Sequence, residues 1–204
     1  MDSLFIVSED GVLKGNIAEL QKYDSTVLEI PAVVNGIKVV KIADDAFMID
    51  EDEYYYDGGN VLENIEELKI AEGIEEIGEN AFRCCFNLRS IELSNSIKVL
   101  GESVFQECEK LEKIVIPNNI VVIPGFAFSN CFELKEVILG EKVERIEYEA
   151  FPGTKIMDIT FPKSMNFIDK TAFYDFEEVI IMRKYKGLEI PEFEYCDIEI
   201  VEID

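Results

Sequence analysis

The sequence has no histidine and no tryptophan. Without imidazole, the commonest general base, the usual partner of a serine or cysteine nucleophile and the commonest metal ligand are missing together. No apolar run approaches the roughly 18 residues that a membrane span needs. Cationic side chains are scarce, with 19 Lys and Arg against 43 Asp and Glu and a net charge of −24. A field of that sign repels phosphate backbones and anionic headgroups, so neither nucleic acid nor a membrane is expected as a partner. There is no Asn-x-Ser/Thr sequon and no Cys-x-x-Cys pair. The opening residues, Met1 to Asp10, lack a basic segment followed by a long apolar one. If Met1 is the natural start, the expected compartment is the cytoplasm.

Several chemical motifs also fall short. Gly73-Ile74-Glu75-Glu76-Ile77-Gly78 has phosphate-loop spacing, but Glu79-Asn80 follow where Lys and Ser or Thr are required. Gly101-Glu102-Ser103-Val104-Phe105 lacks the second glycine of a nucleophile elbow. Asp50, Asp52 and Asp57 are acidic enough for calcium, yet their spacing fits no known loop. No cofactor and no catalytic residue is expected.

What the chain does have is self-similarity. The pair Ala81-Phe82 returns as Val104-Phe105, Ala127-Phe128, Ala150-Phe151 and Ala172-Phe173, at steps of 23, 23, 23 and 22 residues. Ahead of each pair lies a short alternating run: Leu68-Lys69-Ile70, Ile91-Glu92-Leu93, Ile114-Val115-Ile116, Val137-Ile138-Leu139 and Ile159-Thr160-Phe161. Val179-Ile180-Ile181 reads as the start of a last, decayed turn. Two further apolar columns run between, as in Ile97 and Leu100 or Ile120 and Ile123. An earlier copy, Leu28-Glu29-Ile30 with Val39, Ile42 and Ala46-Phe47, carries extra residues around the turn dipeptide Asn35-Gly36 and a second insertion from about 48 to 60. Alternation over three residues predicts short strands with outer residues inward and the middle residue outward. Copies this far apart exceed hairpin loops, so the strands must pair in parallel, one per coil.

In this form, L-x-x-I-x-I-P-x-x-I-x-x-I-x-x-x-A-F-x-x-C-x-x-L, the repeat resembles the BspA-like leucine-rich repeat family of bacterial and protist proteins. Leu111 to Leu134 show it best. The resemblance implies an α/β repeat solenoid: a right-handed leucine-rich repeat with a parallel sheet on its concave face and short helical or 3-10 turns on its convex face. It also implies a non-catalytic role. Many relatives are surface proteins and some are adhesins, so the cell surface is the alternative compartment. The expected organisation is one domain over 1–204. An N-terminal cap occupies 1–24, about seven repeats with the 48–60 insertion occupy 25–182, and a C-terminal cap occupies 183–204.

The caps follow from the need to seal a stack of coils. Phe5-Ile6-Val7, a turn at Glu9-Asp10-Gly11 and Val12-Leu13 predict a hairpin over the first coil. Phe193-Glu194-Tyr195 and the run Ile198 to Ile203 alternate apolar with acidic residues, which predicts an acidic edge strand. Cys85, Cys108 and Cys131, at steps of 23, read as a ladder of buried thiols, with Cys84 facing the other way and Cys196 apart. An odd total of five argues against a disulfide framework, so five free thiols are expected.

Two features exceed what the repeat needs. The outward strand column changes from charged to apolar along Glu29, Lys69, Glu92, Val115, Ile138, Thr160 and Ile180, so Val115, Ile138, Thr160 and Ile180 form a candidate contact strip. Strand propensity alone also favours β-branched residues there. The insertion carries Tyr54, Tyr55 and Tyr56, which suit recognition or pack back on the first coil. The leading expectation is a non-catalytic module that binds a protein through this strip or loop. The alternatives are self-assembly through the same residues and a carbohydrate-active protein working through a carboxylate pair.

Overall fold

Each three-residue alternation becomes a strand because its two apolar neighbours need cover while the residue between them needs water. In the computed structural model, which describes residues 2–49, 60–174, 179–193 and 196–204, the strands Val27–Ile30, Glu67–Ile70, Ser90–Glu92, Lys113–Val115, Glu136–Ile138, Asp158–Thr160, Ile180–Tyr185 and Ile198–Ile203 line one face in chain order. They pair in parallel with Leu28 opposite Leu68, Leu68 opposite Ile91, Ile114 opposite Val137 and Ile159 opposite Met182. Ser90–Glu92 and Lys113–Val115 lie side by side, as do Glu136–Ile138 and Asp158–Thr160. We call this the front sheet. The first copy, disguised in sequence by its insertions, sits in register with the second, and Asn35 and Gly36 adopt φ of 50° and 80° in the hairpin between Val33–Val34 and Ile37–Lys38.

A second row of parallel strands, only two residues each, runs through Lys41–Ile42, Glu76–Ile77, Val99–Leu100, Val122–Ile123, Arg145–Ile146 and Phe167–Ile168. The N-terminal hairpin, Phe5–Val7 against Val12–Gly15, joins this row through parallel pairing of Val12 and Leu13 with Lys41 and Ile42. Gly78 and Gly101 follow these strands because the coils touch there: a Cβ on Gly101 would overlap the amide nitrogen of Glu79 on the coil before it.

The turns around each Ala-Phe pair are not helices. Among the described residues, the helical elements are Asp2–Leu4 and Ile17–Leu20, both near the N-terminus. In the repeats, Asn80, Cys84, Ser103, Glu107, Phe126 and Asn130 take left-handed φ between 50° and 63°. That conformation turns alternate amides along the solenoid axis, and every second N–H then donates to the next coil instead of to its own turn. Phe82 donates to Val104 at 3.0 Å, Phe105 to Ala127 at 3.0 Å and Phe128 to Ala150 at 2.9 Å. Hydrogen bonds between coils outcompete hydrogen bonds within a helical turn, which is why the expected 3-10 segments are absent from the repeats.

Between the three ladders lies a continuous core. Phe47, Phe82, Phe105, Phe128, Phe151 and Phe173 are fully buried, with successive ring centroids 5.3, 5.6, 5.6, 5.4 and 5.3 Å apart. Phe193 closes the far end of this column, edge-on to Phe173 at 5.5 Å.

Candidate functional site

The front sheet's outward column is where the repeat leaves side chains to solvent. Val115 and Ile138 stand directly opposite each other on paired strands and are 48% and 44% exposed. Thr160 is exposed on the strand beside them. Charged pairs flank this apolar spot: Lys113 to Glu136 at 2.6 Å next to it, Lys69 to Glu92 at 3.8 Å toward the N-terminus and Arg183 to Asp158 at 2.7 Å toward the C-terminus. An apolar centre with a charged rim is the usual anatomy of a protein contact patch.

Ile180 does not belong to the strip. Its side chain is fully buried, and the ladder sets Thr160 opposite Arg183. The run Val179-Ile180-Ile181 looks like the strand core in sequence, but the coil spacing carries through to Met182, which lies opposite Ile159. Side chains alternate, so a slip of three residues exchanges inward and outward positions. Ile180 and Met182 therefore face the core, and Ile181 and Arg183 are half-buried. The strip is Val115, Ile138 and Thr160, and it ends against a cation. Tyr54, Tyr55 and Tyr56 lie outside the described residues, as do Asp50, Asp52 and Asp57.

The cysteines form the ladder expected of them. Cys85, Cys108 and Cys131 are buried, and the Cys108 and Cys131 thiols donate to the carbonyls of Phe82 at 3.3 Å and Phe105 at 3.2 Å. Burial holds Cys85 and Cys131 well above the ordinary thiol range. Cys84 turns away from this column and donates to Glu107 at 3.3 Å; burial, with the Glu107 charge behind it, raises the thiol to about 12. All five cysteines are free thiols. Cys84, Cys85, Cys131 and Cys196 are all shifted upward, away from the depressed pKa of a nucleophile.

Two places were not visible in sequence. A cleft of about 450 Å³ lies between Pro162, Met165, Asn166 and the segment Tyr185 to Glu189, with the Lys163 ammonium 4.6 Å from the Tyr185 ring centroid. Glu189 is the one carboxylate on its described lining, so the cleft does not assemble an acid-base pair. The other is the acidic row Asp44, Asp45, Glu79 and Glu102. Partial burial and these like charges push the Glu79 carboxyl up, and a hydrogen bond to Glu102 raises the Tyr148 phenol to about 12. Among the described residues, no three acidic or cysteine side chains gather as a metal site.

Comparison with known proteins gives the same architecture. A family model described as a BspA type leucine rich repeat region matches residues 60–180 in six copies. A leucine rich cell surface protein from Faecalibacterium prausnitzii A2-165 is 26% identical with a TM-score of 0.60, over 83% of this chain and 49% of its own. The T. pallidum leucine rich repeat protein is 17% identical with a TM-score of 0.64, over 95% of each chain. A leucine-rich repeat protein from Eubacterium ventriosum is 17% identical with a TM-score of 0.56, over 84% of this chain and 49% of its own. The last two are likenesses of fold alone. The chain spans about half the length of the Faecalibacterium protein. No curated protein matches the sequence.

Proposed function

Because this chain belongs to the BspA-type leucine-rich repeat family, we propose that it is a non-catalytic module that binds another protein through its front sheet, with Val115, Ile138 and Thr160 at the centre of contact. The observation that carries this reading is the pairing of Val115 and Ile138, two large apolar side chains in register and about half exposed, within a column that is otherwise mostly charged or polar. Nothing in the repeat's own packing requires them to be apolar, because neither contributes to the buried core. The ion pairs around them set orientation and favour a partner with matching charges more than they add affinity. A stack of coils presents such a surface as a rigid platform, since each coil is held by its neighbours and little ordering is needed on binding. The cell surface is the setting we favour, on the strength of the Faecalibacterium protein's description.

The test is the double substitution Val115→Glu with Ile138→Glu. Both positions are solvent-facing, so the melting temperature should stay within a few degrees while affinity for a partner isolated on the wild-type chain drops at least tenfold. Unchanged affinity would remove the strip from the proposal. A particle mass that doubles with concentration in the wild type, and no longer does so in the double variant, would make the strip a homodimer seam instead.

A further inference from the structure

We propose that the cleft between residues 162–166 and 185–189 binds a small sugar acid, a single hydroxyl-rich ring carrying one carboxylate. The site is separate from the strip on the front sheet. Its walls are the loops that follow two paired front strands, Asp158–Thr160 and Ile180–Tyr185, and Ile198–Ile203 lies on the far side of the second strand. In the coils before, the corresponding loops are laced to one another. Ser96 Oγ accepts from the Gly73 N–H at 2.8 Å, and Asn119 Nδ2 donates to the Asn95 carbonyl at 2.8 Å. The Glu141 N–H donates to Asn118 at 3.0 Å, and Ser164 Oγ donates to the Glu141 carbonyl at 2.8 Å. Among the described residues, no hydrogen bond continues this series from 162–166 to 185–189. The two coils part there, and the gap is the cleft of about 450 Å³.

Both walls are braced from behind. Ser164 Oγ also reaches the Val143 carbonyl at 2.6 Å. Across the gap, residues 185–188 form a turn in which the Leu188 N–H donates to the Tyr185 carbonyl at 3.4 Å and Gly187 takes a φ of 97°. The Lys184 ammonium pins that turn by donating to the Leu188 carbonyl at 2.7 Å. A preformed gap costs a ligand little ordering.

The charge on the lining is what names the ligand. Carboxylates outnumber cations 43 to 19 in this chain, yet Lys163 and Lys186 form no ion pair among the described residues. Lys163 stands over the Tyr185 ring, 4.6 Å from its centroid. An aromatic face fixes an ammonium without neutralising it, so the charge stays available. Glu189 is the one carboxylate on the described lining, and two ammoniums against it leave one positive charge over. That matches one anionic group. The volume lies at the small end of the roughly 300–1,000 Å³ of small-molecule sites, which suits a single ring rather than a chain. A polyanion is disfavoured further, because its remaining charges would lie in the field of a chain of net charge −24. Asn166 directs Nδ2 to Glu144 at 3.5 Å, which leaves its Oδ1 to accept from a ring hydroxyl. An amino acid of the same net charge fits less well, because Lys163 and Lys186 repel its α-ammonium.

The experiment is a calorimetric titration of the full chain with galacturonate, galactose and glutamate at low salt. Galacturonate should bind at least tenfold tighter than galactose, which lacks the carboxylate, and than glutamate, which has the charge without the ring. Lys163→Gln and Lys186→Gln should each weaken galacturonate at least fivefold, and Glu189→Gln should strengthen it. Lys14→Gln, the same loss of charge near the other end of the chain, should leave it within twofold. The absence of saturable galacturonate binding, or galactose or glutamate binding as tightly, would overturn the proposal. So would an equal effect of Lys14→Gln, or heparin binding tighter than galacturonate.

Discussion

At the scale of single residues, the molecule is a set of columns in which each side chain packs on its own counterpart. The phenylalanine column shows why: rings spaced by 5.3 to 5.6 Å fill the gap between coils, with Ala or Val beside most of them admitting the close approach. Cysteine serves the neighbouring column because a small thiol fits under the turn and donates to the phenylalanine carbonyl one coil back, which its own turn's N–H reaches only at 3.4 or 3.2 Å. Its chemistry is suppressed by the same burial. Thiolate is the reactive species, and with Cys84 at about 12 and Cys196 at about 11 almost none exists near neutrality. A thiol-specific disulfide reagent at about pH 8 should therefore modify the half-buried Cys196 slowly and leave the other four untouched until denaturant is added. Five thiols should then titrate without reductant. A total of three or one would mean a disulfide and would contradict the ladder.

At the scale of elements, legibility depended on length. The front strands alternate over enough residues to be read from Leu68-Lys69-Ile70 or Val137-Ile138-Leu139. The second row is two residues long per coil, too short for any period to register, so Ile77 and Leu100 were visible as apolar columns but not as strands. The last front strand is the instructive miss. Ile180, Ile181 and Met182 are all apolar, so composition cannot say which face each takes; the ladder decides, through Thr160 opposite Arg183. This has a sharp consequence. Ile180→Glu places an unpaired carboxylate in the core and should destabilise the chain by about 3 kcal/mol or more. Ile181→Lys sets a cation between Asp158 and Glu199, its two cross-strand neighbours, and should be neutral or stabilising by a few tenths of a kcal/mol. Urea unfolding of the two variants checks the order, and the reverse order would refute the register.

At the scale of the whole molecule, charge is arranged by coil. Most ion pairs join residues one repeat apart, such as Lys98 with Glu75 at 2.7 Å and Lys135 with Glu112 at 2.8 Å, so the few cations are spent tying neighbours together. Most are exposed and individually weak. The excess of carboxylates is left to repel itself, most visibly at Asp44, Asp45, Glu79 and Glu102. The Glu79 carboxyl is raised in the fold, by burial first and by those neighbours next, so its ionisation costs the folded state more than the unfolded one. Stability linked to this group is present below its ordinary value of 4.5 and is lost as pH rises through the raised one. Glu75 and Glu112 work in the opposite sense: Lys98 and Lys135 depress them, and their contribution is lost as pH falls. Glu79→Gln should accordingly raise the urea midpoint at about pH 7 in low salt, with the gain shrinking below about pH 4. A variant less stable than wild type at neutral pH would show that the Glu79 charge is favourable after all.

The sequence by itself determined the solenoid. Its apolar columns recur at a spacing that only parallel, coil-on-coil stacking can bury, and that periodicity needs no coordinates. It also placed Val115, Ile138 and Thr160 outward, because alternation within a strand is a local property. Two things were decided only by the tertiary structure: the register of the last coil and the replacement of expected helical turns by hydrogen bonds running along the axis. Each depends on what a neighbouring coil offers to a backbone group, and that is set in space by residues a full repeat away.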